Sequence, residues 1–330
     1  MPLTLARMPL EARFGVFEIG MNHSGEIEPL SVLVRPHVAV ITTMEPVHLE
    51  FFSSVAAIAE AKAEILTGIE PGGTAILNRD NAHFDLLAGR AQHLGVRVVS
   101  FGRHETADVR PEVWQLGPDG SDIVARVGGR RVAYRVGAPG AHLAQNSLAV
   151  IAALDALGAD VEKAVPALAG MQAAKGRGAR LTVRLRDGPI LLIDESYNAN
   201  PASMRSALGA MATVPRDRFP RRIAVLGDML ELGANAGPLH EGVKEAVDAA
   251  EVDLVFACGT HMQRLFAALP AARRGEWAET SQGIVAPLLA AVRAGDVVMV
   301  KGSLGSRMAP LVDALMRRGE EDCMRLARHE

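Results

Sequence analysis

The chain has 330 residues, 49% of them hydrophobic and 22% charged, with a formal net charge of −3. That is the balance of a globular protein with two cores, and it excludes a nucleic-acid surface because no basic block occurs. Cys258 and Cys323 are the only cysteines, and no run approaches 18 consecutive apolar residues. A disulfide framework and a membrane-spanning helix are therefore excluded, and a cytoplasmic protein is expected.

In chain order, Phe14 to Ile19 reads as a strand that places Glu18 at its carboxyl end, followed by the loop Gly20-Met21-Asn22-His23-Ser24-Gly25. Val38 to Thr42 is a second apolar strand, leading into Met44-Glu45-Pro46-Val47-His48-Leu49-Glu50. Ser53 or Ser54 can cap a helix from Val55 to about Thr67. Further strands are predicted at Thr74 to Leu77 and Val96 to Phe101. Alternating strands and helices imply a mostly parallel sheet with both faces covered. Asp122 to Val136 differs, since two strand-like runs joined by Gly128-Gly129 predict a hairpin, expected to decorate an edge of the first domain. Helices follow at Ala144 to Leu157 and Val161 to Leu168.

Lys175-Gly176-Arg177-Gly178-Ala179-Arg180 is glycine-rich and polar and reads as an interdomain hinge. Beyond it, strands near Pro189 to Asp194, Arg222 to Leu226, Leu254 to Ala257 and Val297 to Val300 alternate with helices, predicting a second doubly wound domain. Asp194-Glu195-Ser196-Tyr197-Asn198-Ala199-Asn200-Pro201 sits where the first of these strands opens onto a helix carrying Pro at its first turn. Open α/β sheets place ligands there. Asp194, Asn198 and Asn200 also suit turns and a helix cap, but so many polar residues exceed what a cap needs.

Lysine occurs only at positions 62, 163, 175, 244 and 301. On a helical wheel Lys62 falls within the apolar stripe of Val55, Ile58, Ile65, Leu66 and Ile69, with Glu60 and Glu64 on the far side. An ammonium there must snorkel out or change chemically. As a carbamate formed with CO2, Lys62 would become a carboxylate suited to Mg²⁺.

These segments resemble the Mur ligases. The Asp-Glu-Ser-Tyr-Asn-Ala-Asn-Pro run is similar to the Asp-x-Ser-Tyr-Asn-Ala-Asn-Pro pattern of members that add D-Ala-D-Ala to UDP-N-acetylmuramoyl-tripeptide. Ala61-Lys62-Ala63-Glu64-Ile65 resembles the family's carbamylated-lysine helix, and Pro46-Val47-His48-Leu49-Glu50 resembles its histidine turn. The resemblance implies ATP and Mg²⁺ as cofactors, with Glu18, His48 and carbamylated Lys62 as catalytic metal ligands. It implies adenine contact by Asn146 in Gly140-Ala141-His142-Leu143-Ala144-Gln145-Asn146, where Leu143 departs from the commoner Asn. Arg177 would reach phosphate and Asp194 would contact ATP. Tyr197, Asn198 and Asn200 would line the amine pocket. Gly227-Asp228-Met229-Leu230-Glu231-Leu232 and Lys301-Gly302-Ser303 match two further motifs, the second offering Lys301 and Ser303 to substrate. The implied fold is α/β. A partial central mononucleotide-binding domain (1–176, mostly parallel sheet with a hairpin) precedes a Rossmann-like C-terminal domain (177–330). A monomer, with neither membrane nor nucleic-acid partner, is expected.

The dipeptide Gly-Lys is absent, so no Gly-x-x-x-x-Gly-Lys-Ser/Thr exists to cradle phosphates. The family carries that loop, and a domain holding the UDP moiety, upstream of the segment matching Phe14 to Ile19. The expectation is thus an N-terminally incomplete ligase, inactive as this chain. The alternative is a non-catalytic fragment that binds only the amine substrate or a partner. A folylpolyglutamate synthase on the same fold is disfavoured by Tyr197-Asn198-Ala199-Asn200-Pro201.

Overall fold

A computed structural model describes residues 1–45 and 50–326. The chain divides into two compact units: Met1–Leu116 with Gly120–Gly137 and His142–Met171, and the residues from Gln172 onward with Gly117–Asp119 and Ala138–Ala141.

In the first unit, β1 (Val38–Ile41), β2 (Thr74–Asn78) and β3 (Arg97–Phe101) form a parallel sheet in that order. Alternation along β2 sends Ala75 and Leu77 into a core with the helices Val55–Ala63 and Phe84–His93. Ile76 goes to the opposite core, shared with the helix Ala141–Ala156. Burial on both faces is why β2 reads as an unbroken apolar run. The Gly128-Gly129 hairpin is present, with Val127 paired to Arg130 across the two glycines at φ 53° and 83°. Such positive φ at both turn positions suits a right-handed hairpin twist. It belongs to the first unit but not to the parallel sheet. β4 (Arg110–Gly117), β5 (Gly120–Val127) and β6 (Arg130–Val136) make a separate three-stranded sheet whose buried face carries Ile123, Ala125, Val132 and Tyr134.

Phe14 to Ile19 forms no strand, and Phe14 and Val16 are exposed, at 59% and 96%. A six-residue apolar run becomes a strand only with a ladder partner, and among the described residues β1 pairs with β2 alone. The α-helix beginning at Val55 is capped by Ser54, whose side chain accepts from the Ala57 N–H. It ends at Ala63 and tightens into a 3₁₀ segment, Glu64–Gly68. The helix expected over Val161 to Leu168 breaks into Val161–Ala164 and Pro166–Ala169, as Pro166 cannot continue it.

Glu64 turns toward the N-terminus of the helix Ile27–Val34, which the sequence pattern did not reveal. Its carboxylate accepts from Gly25 N at 2.7 Å, Ser24 Oγ at 3.1 Å, Ile27 N at 3.2 Å and Glu28 N at 3.3 Å. An anion there satisfies otherwise orphan amides and complements the helix dipole.

The second unit is a six-stranded sheet. Its strands are β7 (Ala179–Leu185), β8 (Gly188–Glu195), β9 (Arg221–Gly227), β10 (Leu254–Cys258), β11 (Arg274–Ala278) and β12 (Asp296–Lys301). The order is β11-β10-β9-β12-β8-β7, parallel except for β7, which runs antiparallel to β8. Period-2 alternation feeds two cores. Ile193, Ala224, Leu226, Val297 and Met299 pack toward the helices Pro201–Ala212 and Val243–Ala249. Ile190, Leu192, Ile223, Val225, Val298 and Val300 pack toward the helices Val285–Ala291 and Ala309–Leu326. Helices on both faces make this a doubly wound α/β unit. No helix among the described residues is long and apolar enough to cross a membrane.

Glu64→Ala should destabilise the protein by about 2 kcal/mol, because it strands several amide donors at once. Glu64→Gln, which keeps one accepting oxygen, should recover part of that loss in urea unfolding.

Candidate functional site

At the carboxyl ends of β9, β12 and β8, three neighbouring parallel strands open into three loops. These are Gly227 to Leu232, Gly302 to Ser306 and Ser196 to Asn200. Lys301 lies opposite Glu195 on β8 and Leu226 on β9. Its Nζ donates to Glu195 Oε2 at 3.3 Å and to the Asn198 carbonyl at 3.0 Å. The lysine is buried. Burial lowers its pKa first, the Glu195 charge and hydrogen bond oppose that, and Arg177 adds to the lowering. Ser303 ties the loops together: its N–H donates to the Asp228 carbonyl at 3.0 Å and its Oγ to the Ala199 carbonyl at 3.2 Å. The same Oγ accepts from Leu230 N at 2.9 Å.

Asp194 is fully buried and its carboxylate is used within the fold. Oδ1 accepts from Ser196 Oγ at 2.6 Å and Ser196 N at 3.1 Å, and Oδ2 accepts from Gly176 N at 2.9 Å. Its backbone carbonyl takes the Gly178 N–H at 2.8 Å, and Tyr197 N–H donates to the Gly176 carbonyl at 3.0 Å. Gly176 has φ +76°, and a Cβ there would stand 2.9 Å from Tyr197 Cβ, so only glycine allows this approach. The outcome is that Arg177 stacks over the Tyr197 ring, 4.3 Å from its centroid, with both side chains exposed. Asp194 acts through this loop, placing a cation and a ring at the rim.

Asn200 caps the helix Pro201–Ala212: its Oδ1 accepts from Ser203 N, and Ser203 Oγ accepts from Asn200 N. Asn198 is exposed, with Oδ1 accepting from the Ala199 N–H at 2.8 Å. The pattern alone could not separate these two uses of asparagine.

His240 is a residue that sequence reasoning missed. It is fully buried, with Nδ1 2.6 Å from the Ala236 carbonyl and Nε2 accepting from Met229 N at 2.8 Å. Since Nε2 accepts, the imidazole is neutral with its proton on Nδ1. Burial lowers its pKa first and His261 adds to that, against the Ala236 hydrogen bond and the Asp228 charge. Asp228 in turn accepts from Met262 N at 2.7 Å. The Gly227 to Leu232 turn is thereby fixed by one side chain from outside the motif, His240, and by Asp228 reaching the Met262 amide.

In the first unit, Lys62 is largely buried and donates to the Thr43 carbonyl at 3.3 Å. Burial lowers its pKa, opposed by the charge of Glu45. Glu18 is exposed, Asn146 sits on the exposed face of the helix Ala141–Ala156, and His48 lies outside the described residues. Mg²⁺ takes oxygen donors. Among the described residues no three His, Cys, Asp or Glu side chains gather as a metal-holding group. Lys62 supplies oxygen only as a carbamate, and a buried amine beside a carbonyl fits that conversion.

Fold and rim together define a two-unit α/β protein of the kind that binds ligands at strand carboxyl ends. The chain belongs to the Mur ligase family: residues 1–154 match the Mur ligase middle domain, and residues 179–304 match the Mur ligase, glutamate ligase domain. It is 32% identical over 321 residues to the UDP-N-acetylmuramoyl-tripeptide–D-alanyl-D-alanine ligase of Escherichia coli strain K12, covering 96% of this chain and 68% of that protein. The enzyme of the same name from Bacillus subtilis strain 168 is 30% identical, with 96% and 67% covered. A crystal structure of MurF from Acinetobacter baumannii superposes with a TM-score of 0.85 at 28% identity, over 96% of this chain and 67% of that one. The chain thus spans about two thirds of the length of these relatives.

Two outcomes test this geometry. Lys301→Ala should cost about 3 kcal/mol in urea unfolding by leaving Glu195 uncompensated. Lys301→Met combined with Glu195→Gln should recover most of it. For His240, the unfolded chain takes up a proton that the fold refuses. Stability is therefore complete above about pH 6.5, the ordinary histidine value, and falls below it. The loss between about pH 7 and about pH 5.5 should vanish in His240→Asn, as urea unfolding at the two pH values checks.

Proposed function

We propose that this chain serves an ATP-dependent, amide-bond-forming ligation that adds D-Ala-D-Ala to UDP-N-acetylmuramoyl-tripeptide in peptidoglycan precursor synthesis, in the cytoplasm. The observation that carries this reading is the convergence of the Tyr-Asn-Ala-Asn-Pro, Gly-Asp-Met and Lys-Gly-Ser loops on one rim, joined by Ser303 and Lys301. Relatives 30% and 32% identical to the chain bear the name of that ligase.

In the reaction, the tripeptide carboxylate attacks the γ-phosphate of ATP, and the amine of D-Ala-D-Ala then displaces phosphate from the acyl phosphate. Arg177, exposed and stacked on Tyr197, is a fixed planar cation suited to phosphate oxygens. Asp194 holds the loop that carries it. Tyr197 and Asn198 project at the rim where the amine would sit, while Asn200, Lys301 and Ser303 keep the rim in shape. Asn146, exposed on its helix, would meet the adenine. Mg²⁺, held by Glu18, His48 and carbamylated Lys62, would neutralise charge on the phosphates. Carbamylation supplies the anionic oxygen that the free amine lacks.

A second reading rests on the absence of Gly-Lys from the sequence. Without a phosphate cradle these 330 residues would bind the amine substrate and turn nothing over. Calorimetric titration of the chain with D-Ala-D-Ala, beside a mass-spectrometric assay for the ligated product with ATP and tripeptide present, separates the two. Selective heat with D-Ala-D-Ala over L-glutamate supports the shared amine site, and product formation decides for ligation by this chain. Equal or absent response to both amines, with no product, overturns the proposal.

A further inference from the structure

Three successive backbone carbonyls after β1 are each held by a side chain from elsewhere in the first unit. The Thr42 carbonyl accepts from Asn78 Nδ2 at 2.7 Å, the Thr43 carbonyl from Lys62 Nζ at 3.3 Å, and the Met44 carbonyl from Asn81 Nδ2 at 3.3 Å. Asn81 Nδ2 also reaches Thr43 Oγ1 at 3.4 Å. Asn78 ends β2 and Asn81 lies in the turn just after it, while Lys62 comes from the neighbouring helix. Both asparagine oxygens are engaged as well, Asn78 Oδ1 by Asp80 N at 2.9 Å and Asn81 Oδ1 by His83 N at 3.0 Å. With their amides anchored on one side, the two residues fix the orientation of the Thr43 carbonyl between them.

We infer that Asn78 and Asn81 are positioning residues for carbamylation of Lys62, aiming the Thr43 carbonyl at its Nζ; this rests on the carbamate reading above. In carbamylation the Nζ lone pair attacks the carbon of CO2 and forms an N–C bond. One C=O π pair moves onto oxygen, and one Nζ proton leaves to water. The product keeps a single N–H. A fixed carbonyl accepting that N–H sets the plane of the carbamate and so the direction in which its two oxygens point. A carbonyl free to swing would hold neither the amine nor the product in place. A loop that merely needed closing would be served by any partner for the Thr42 and Met44 carbonyls. Spacing them on either side of the lysine's acceptor is what this arrangement adds.

The test is ¹³C NMR of the chain in ¹³C-labelled bicarbonate, with Lys62→Ala as the blank and thermal unfolding run alongside. The wild-type chain should show a carbamate resonance missing from the blank. Asn81→Ala should need about fivefold more bicarbonate for the same occupancy, the order of one lost hydrogen bond. Asn81→Ser keeps an oxygen near the His83 N–H but cannot span to Met44, so it should show the same shift, and it decides the matter where Asn81→Ala does not unfold cooperatively. Wild-type occupancy in the folded Asn81 variants overturns the positioning role while leaving the carbamate intact. A wild-type chain with no Lys62-dependent resonance removes the carbamate reading itself and this inference with it.

Discussion

Three parallel strands buried on both faces, β9, β12 and β8, end side by side, and every polar group at that rim has to be satisfied without a sheet to continue into. The rest of the second unit follows from how this is met. Ser303 spans two loops, Asp194 draws in the segment around Gly176, and Lys301 fills the gap between Glu195 and the Asn198 carbonyl. Each closure uses a side chain that a substrate contact could also have used. The polar groups that face outward include the Arg177–Tyr197 stack and Asn198, beside the exposed Leu230 and Leu304. The rim is thus a rigid frame with few projecting groups, which is how a site gains orientation without a flexible side chain in each role.

The first unit solves a similar problem with asparagines and glutamate. Glu64 gathers the amides that open the helix Ile27–Val34, and Asn78 and Asn81 gather the carbonyls that leave β1. Both lie beside Lys62, on its own chain segment in one case and across the sheet rim in the other. Burying a charged or strongly polar side chain is tolerated when its partners are fixed in advance, and here the neighbours of the lysine are fixed before it is.

How far the sequence disclosed this depended on the kind of force involved. Strands buried on both faces, such as Val297 to Val300, announced themselves as apolar runs, because burial alone dictates composition there. The two edge strands of the six-stranded sheet did not. Ala179–Leu185 alternates with arginines beside a glycine-rich loop, and Arg274–Ala278 carries only two apolar residues for its core. Phe14 to Ile19 erred the other way, since its apolar run suits a strand but pairing is decided by neighbours. At the site, motif order located the three loops correctly, yet it could not tell Asn200 as a cap from Asn198 as an exposed side chain. His240 was invisible because a lone histidine on a short helix carries no pattern. Its meaning comes from a backbone amide 11 residues away.

The two buried lysines show why composition hints at chemistry and geometry decides it. Lys301 is buried and Lys62 partly so, and both have pKa values pressed down by burial. Lys301 is hydrogen-bonded to a carboxylate and a carbonyl, so its charge has a direct counterion and the pair works as a structural tie. Lys62 has a carbonyl from Thr43, while Glu45 acts on it through charge. A carbonyl accepts an N–H from an ammonium, an amine or a carbamate, so losing the positive charge weakens that hydrogen bond without breaking it, while the Glu45 charge favours the cation. A carboxylate partner sets a penalty, because converting Lys301 to an anion would place two negative groups in contact. Of the two lysines withdrawn from solvent in this arginine-rich chain, Lys62 is therefore the one with no hydrogen-bonded carboxylate among the described residues, and Glu45 acts on it through charge alone.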